Sequence, residues 1–240
     1  MKYKSAYIRD SVIVEVLFNQ PGAAVHYTLE LRDPTEKDPV YRTPLSVKKP
    51  GTIRFKAIGN DFEPSETISV SFFPAGKKID SIRTSAPQEF YKNQSAETLN
   101  DAVGGIANFR SGHWTGFNSD SVWIECSWNR PQTIIEIDLG LLQDEASWIF
   151  LPKRIEYWKK DRKTGKWLIN HSKDIASTAK GPKQVYIDQT NFNPEIVTSA
   201  IKILMINHSN IPDWHESKGE RAWIFIDEVM VRSWNYFKTQ

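Results

Sequence analysis

The side chains best suited to chemistry lie near the C-terminus. Trp214-His215-Glu216-Ser217-Lys218-Gly219-Glu220-Arg221 is a polar, aromatic loop, and the apolar stretch after it, Trp223 to Val229, carries adjacent carboxylates at Asp227 and Glu228. His208 and Asn210 stand just upstream, and a second loop offers His113, Trp114 and Phe117 ahead of Asn118-Ser119-Asp120. A sugar is recognised by an aromatic face against the apolar side of its ring and by polar groups around its hydroxyls, and loops at one end of a sandwich supply both. Phe117, followed by a polar turn, is expected at the surface, with Trp214, His215, His113 and Asn210 completing a carbohydrate-binding platform. Trp114 reads as a core residue. Trp214 has two readings, a platform or a plug of the core with His215 bonded to backbone.

Catalysis finds little support. Asp227 and Glu228 lie within an apolar strand, where neighbours point to opposite faces, so the pair is not arranged to flank one glycosidic bond. No Gly-x-Ser-x-Gly, His-Glu-x-x-His or phosphate-binding loop occurs. Cys126, the single cysteine, sits in an alternating strand pattern and reads as a small buried hydrophobe. One cysteine also excludes an intramolecular disulfide.

The elements that must hold these loops are strands. In the first part, Val12–Phe18, Val25–Leu29, Thr52–Ala57 and Thr67–Phe72 are short, β-branched or alternating, with Asn19-Gln20-Pro21-Gly22 as a turn and a proline-rich loop over 33–39. In the second part, 122–128, 133–139, 154–158, 184–187, 200–206 and 223–231 are strand candidates, and Lys163-Thr164-Gly165-Lys166 is a hairpin turn. A short helix is expected at 96–100, capped by Ser95. All nine tryptophans fall at Trp114 or later, which points to two separately built cores. The break is placed at Phe73-Pro74-Ala75-Gly76, giving domains 1–75 and 76–240, and an all-β chain of two sandwiches.

A net charge of +2 with scattered basic residues gives no nucleic-acid signal, and no run approaches the ~18 apolar residues of a membrane span. The N-terminus has no apolar signal core. Either the protein is cytoplasmic or, the preferred reading, the chain is a piece of a longer secreted bacterial protein, periplasmic or extracellular.

Several segments resemble known families. Val25-His26-Tyr27-Thr28-Leu29, Asp33-Pro34, Tyr41, Pro44-Leu45 and Ile53-Arg54-Phe55-Lys56-Ala57 resemble the chitobiase C-terminal domain, an immunoglobulin-like fold, with Glu30-Leu31 replacing its Asp-Gly. Leu99-Asn100-Asp101-Ala102, Gly112-His113-Trp114-Thr115-Gly116-Phe117, Ile137-Asp138-Leu139-Gly140 and Trp148-Ile149-Phe150-Leu151-Pro152 resemble the factor 5/8 type C, or discoidin-like, jelly roll found at the C-terminus of bacterial β-hexosaminidases.

The resemblance implies a non-catalytic carbohydrate-binding accessory region of a glycoside hydrolase. It implies a catalytic domain on the N-terminal side of the parent chain and glycans containing N-acetylhexosamine or galactose as partners. It also implies a structural Ca²⁺ held by the carboxylates of Asp101 and Glu228 with carbonyls near Thr98 and of Asp227. The alternative for Glu228 is bonding to backbone amides or pairing with Arg or Lys. The alternative for the whole is a structural or protein-interaction module without a sugar site.

Overall fold

A computed structural model describes residues 1–8, 11–73, 76–92, 96–102, 104–176 and 181–233. It is all-β and separates into two compact units, Met1–Ala75 and Gly76–Gln240.

In the first unit, β1 (Lys2–Ile8), β2 (Ser11–Leu17) and β4 (Leu45–Val47) form one antiparallel sheet, and β3 (Ala23–Thr28), β5 (Gly51–Gly59) and β6 (Ile68–Phe72) form the other. Alternation in β2 and β5 turns Val12, Val14, Val16, Ile53, Phe55 and Ala57 inward, where they meet Val25, Val70 and Phe72. Tyr41 closes one side: its hydroxyl accepts from the Val16 amide at 3.0 Å, and its ring meets Phe55 edge-on at 5.9 Å. The proline-rich loop is pinned by Asp38, whose carboxylate accepts from Arg32 and from the Thr35 amide and hydroxyl; these bonds hold its pKa well below the usual carboxylate range. Two strands, β1 and β4, go beyond the sequence reading. The β4 strand is only three residues long, beside Pro44, and too short to show a period.

The second unit is built on two long strands, β9 (Ser121–Gln143) and β12 (Gln184–Ile206). Each was expected as two separate strands. Pro131 and Pro194 interrupt the apolar patterns, yet the chain stays extended through both, and β9 pairs with β12 from Ser121↔Ile206 to Gln143↔Gln184 with register shifts between. One half of this ribbon continues into β10 (Arg154–Lys160), β11 (Trp167–Asp174) and β7 (Ser81–Thr84). The other half continues into β13 (Ile224–Ser233) and β8 (Thr115–Phe117). The halves face one another across a shared core that includes Val122, Ile124, Cys126, Ile137, Leu139, Tyr157, Ile203 and Ile226. Burial pushes the Cys126 thiol up to about 12, as befits an inert core residue.

The β10–β11 turn forms where expected. Gly165 takes a φ of +67°, and the Asp161 carboxylate accepts from the Thr164 amide (2.7 Å) and hydroxyl (2.6 Å). The β11 strand itself is mostly exposed and polar, which hid it from pattern reading. Residues 96–100 form a 3-10 turn rather than an α-helix; its expected cap, Ser95, lies outside the described residues, as do Pro74 and Ala75 of the expected break.

One polar network is sealed in the core. Tyr157 donates to Asp188 Oδ2 (3.0 Å), Thr190 donates to the Tyr157 oxygen (3.1 Å), and Lys173 Nζ lies 2.7 Å from Asp188 Oδ1. Removing one partner strands the other buried groups. Tyr157→Phe should therefore lower stability by about 1–3 kcal/mol in denaturant unfolding; an unchanged midpoint would mean the network contributes nothing.

Candidate functional site

The loop between β12 and β13 is a closed, self-bonded structure. Ile211 N donates to Glu220 O (2.6 Å), Gly219 N to Ile211 O (3.1 Å), His215 N to Pro212 O (3.0 Å) and Lys218 N to His215 O (3.1 Å). Gly219 holds a φ of +88°, a left-handed position that suits glycine. Beneath the loop, Phe150, Ile211 and Ala222 make a small core of their own. Buried Asn207 staples it: its amide donates to Ala222 O (2.7 Å) and Ser119 O (3.0 Å), and its oxygen accepts from His208 N (2.8 Å).

Trp214 projects from this base, 37% exposed. Its ring lies 6.1 Å from Phe150 and 5.6 Å from His215. Beside it is an open cleft of ≈ 350 Å³ lined by Glu145, Ala146, Gly181, Trp214, His215 and Glu216. Its size suits a ligand of a few rings. The opposite wall is the 3-10 turn Glu145–Ser147, which ends at Trp148 in a left-handed conformation with a φ of 65°. A bulky residue held there is strained backbone of the kind that gathers at binding sites. Glu145 is fixed from both sides: Oε1 accepts from Gln143 Nε2 (3.0 Å) and Oε2 from Gly181 N (2.9 Å).

His215 is only 9% exposed, and both ring nitrogens are engaged. Nδ1 accepts from Ser217 N (3.0 Å), which leaves Nε2 as the protonated nitrogen, donating to Glu145 O (3.1 Å). With both nitrogens engaged, the imidazole serves as a wall of the cleft, not as a bonding partner for hydroxyls. It joins the β12–β13 loop to the Glu145 turn. Asn210 is exposed on the same loop, with its amide nitrogen donating to Gly219 O and Ser209 O. His113 is exposed on its own loop.

Phe117 requires a correction. It is fully buried in the main core, 0% exposed, because its pairing with Ile224 in β13 turns it inward. The polar turn after it, which suggested a surface site, is drawn down on β13 by Asn118 Nδ2 donating to Ala222 O at 3.3 Å. Trp114 is core, as expected, with its indole donating to Ile106 O (2.9 Å). Trp214 and His215 come together; Phe117 takes no part. Glu145 and Glu216 were not singled out from the sequence. The only signal for Glu145 was its place just before the Trp148–Pro152 turn.

Asp227 and Glu228 are 1% and 0% exposed, so this pair is shut away from any substrate. The strict alternation expected of them is broken: the register with β9 shifts between Ile226 and Val229. Asn100 Nδ2 donates to Val229 O (3.0 Å), which sets the Asp101 segment beside the Glu228 segment. Asp227 Oδ2 accepts from Gly105 N (2.7 Å), while Asp227 Oδ1 is buried with no hydrogen-bond partner. Burial pushes the Asp227 pKa up to about 7, and the charge of Asp101 adds to the shift. A buried carboxylate oxygen without a donor, with a second acid close enough to be felt, is a setting that fits a hard cation with oxygen ligands. Among the described residues no three His, Cys, Asp or Glu side chains form a cage by themselves, so such an ion would draw further ligands from carbonyls.

Comparison with known proteins follows the division into units. Residues 4–69 match the chitobiase/beta-hexosaminidase C-terminal domain. No curated protein matches the chain. Among solved structures, a fucolectin from striped bass (Morone saxatilis) serum is similar at 13% identity and a TM-score of 0.45, over 64% of this chain and 46% of that one. CBM32-3 from a family 31 glycoside hydrolase of Clostridium perfringens is similar at 12% identity and a TM-score of 0.43, over 65% and 91%. The family 32 carbohydrate-binding module of EndoD from Streptococcus pneumoniae is similar at 9% identity and a TM-score of 0.44, over 65% and 98%.

A larger hollow, ≈ 460 Å³, lies on the first unit against Gly22, His26, Glu36 and Gly59. Its lining offers no Trp, Tyr or Phe face, so it lacks the stacking surface of the Trp214 cleft.

The two aromatic positions predict opposite outcomes. Phe117→Ala should cost about 3–5 kcal/mol in unfolding, whereas Trp214→Ala, removing a ring already in contact with water, should cost under about 2 kcal/mol. A large loss from Trp214→Ala in the same unfolding measurement would make it a core residue and remove it from the site.

Proposed function

We propose that this chain is a non-catalytic carbohydrate-binding accessory module, with the Trp214 cleft as its sugar site. The observation that carries the reading is the half-exposed Trp214 ring standing beside a preformed cleft of ≈ 350 Å³ with polar walls. One pyranose face stacks on the indole, and its hydroxyls meet the carboxylate of Glu216 and the backbone of the Glu145 turn. The loop is already closed on itself, so little ordering cost opposes binding. The match of residues 4–69 to a domain of chitobiases supports a parent chain of the β-hexosaminidase type, active outside the cytoplasm, and glycans containing N-acetylhexosamine or galactose as targets.

The task is tethering. A millimolar site is worth only ~4 kcal/mol, yet it raises the local concentration of an attached enzyme on its substrate. Stacking on one ring contributes about 1 kcal/mol beyond area burial, so Trp214→Ala should weaken glycan binding roughly fivefold or more in titration calorimetry. No binding of any glycan by the wild-type chain at millimolar concentration would favour a purely structural module.

The same reading places a structural Ca²⁺ between the 3-10 turn at 96–100 and β13. Asp101 and Glu228 are its side-chain ligands and the region of Thr98 and Asp227 supplies further oxygens. The ion would neutralise the buried carboxylates of Asp227 and Glu228 with the exposed Asp101 closing one side; it is distant in role from the sugar cleft. Saturation at 100 times Kd adds ~2.7 kcal/mol, so melting in excess Ca²⁺ should exceed melting in chelator by several degrees. Identical curves would remove the ion.

A further inference from the structure

We propose that the Trp214 cleft selects glycans bearing protonated amines, the deacetylated hexosamines, over their neutral N-acetylated counterparts. The inference rests on the carbohydrate reading of this cleft and adds the charge class of its ligand.

Among the described residues, those lining the cavity include two carboxylates, Glu145 and Glu216, and no lysine or arginine. The one imidazole, His215, has both nitrogens engaged within the protein, Nδ1 by the Ser217 amide and Nε2 by the Glu145 carbonyl. The nearby acid Asp144 is already compensated, with Lys183 Nζ at 2.9 Å. Glu145 differs: both of its oxygens take donors that carry no charge, the Gln143 amide and the Gly181 N–H. It is also only 8% exposed, so its negative charge, in a residue that lines the cavity, is less screened than that of a solvated carboxylate. Glu216 stands exposed on the loop that carries Trp214.

An aromatic wall with an acidic floor and rim is matched by a pyranose with a cationic substituent. The ring stacks on Trp214 and the ammonium, with three donors, satisfies acceptor positions that neutral donors leave open on the carboxylates. An acetamide offers one N–H, no charge, and a carbonyl oxygen that would meet Glu145 and Glu216 as acceptor against acceptor. An anionic sugar would be repelled outright.

The test titrates the full chain with a glucosamine oligomer and an N-acetylglucosamine oligomer of equal length, at a pH where the amines are protonated, at low and high salt. The glucosamine oligomer should bind more tightly, by up to about fivefold, the scale of one exposed ion pair, and high salt should shrink that preference. Glu216→Gln, at an exposed position, should reduce the preference, and Glu216→Lys should reduce it further, with melting temperature confirming that both variants remain folded. Binding of both oligomers to equal extent, lost in Trp214→Ala and indifferent to Glu216→Gln, would overturn the charge selection and leave the carbohydrate site standing. Failure of both oligomers and of galactosides to bind would overturn the carbohydrate site itself, and this inference with it.

Discussion

Pairing of β9 with β12 along their whole length is the constraint on which the second unit depends. One ribbon supplies strands to both halves of the sandwich, so its register fixes which residues face the core and where the loops emerge. Val122, Ile124 and Cys126 from one half of β9 meet Ile134, Ile137 and Leu139 from the other across the same interior. A one-residue slip would turn these apolar sets outward together, an outcome that burial alone makes prohibitive. The Trp214 loop leaves the end of β12, and the Glu145 turn leaves the end of β9. The cleft between them is therefore a product of where two paired strands stop.

That origin explains the character of the site. Neither wall is a flexible lid. The Glu145 turn is closed by Asp144–Ile149 backbone bonds and strained at Trp148. The Trp214 loop is closed by Ile211–Glu220 and Ile211–Gly219 bonds. His215 joins the two walls through the Glu145 carbonyl. A site assembled before its ligand arrives suits weak, reversible contact with a repeating polymer, where a large ordering cost would erase a small binding energy.

Much of this was legible in the residues. The β2 and β5 patterns show their period plainly, β13 shows as a continuous apolar run, and the Asp161–Gly165 turn shows its chemistry. The continuity of β9 and β12 was hidden, because the apolar patterns lapse around Pro131 and Pro194 although an extended chain can accommodate proline at irregular positions. The β11 strand was hidden because its apolar residues, Trp167, Leu168 and Ile169, are adjacent rather than alternating, and polar residues follow them. Phe117 misled because a polar turn follows it directly, while the strand that ends on it is buried throughout. Glu145 could not be seen as part of the site at all: its partner wall lies some 70 positions away, and only the β9–β12 register brings the two together. Local pattern determines strands; it does not reveal which strand ends meet.

The central claim is that Trp214, alone among the tryptophans, is the surface on which a sugar stacks. Heteronuclear NMR of the chain resolves indole N–H signals individually, and titration with N-acetylhexosamine, hexosamine and galactose oligosaccharides reads each ring separately. The account predicts saturable movement of the Trp214 indole and of backbone amides at Ala146, Gly181 and Glu216, with the indoles of Trp114 and Trp128 unmoved. Movement confined to other tryptophans, or none at saturating sugar, would contradict it.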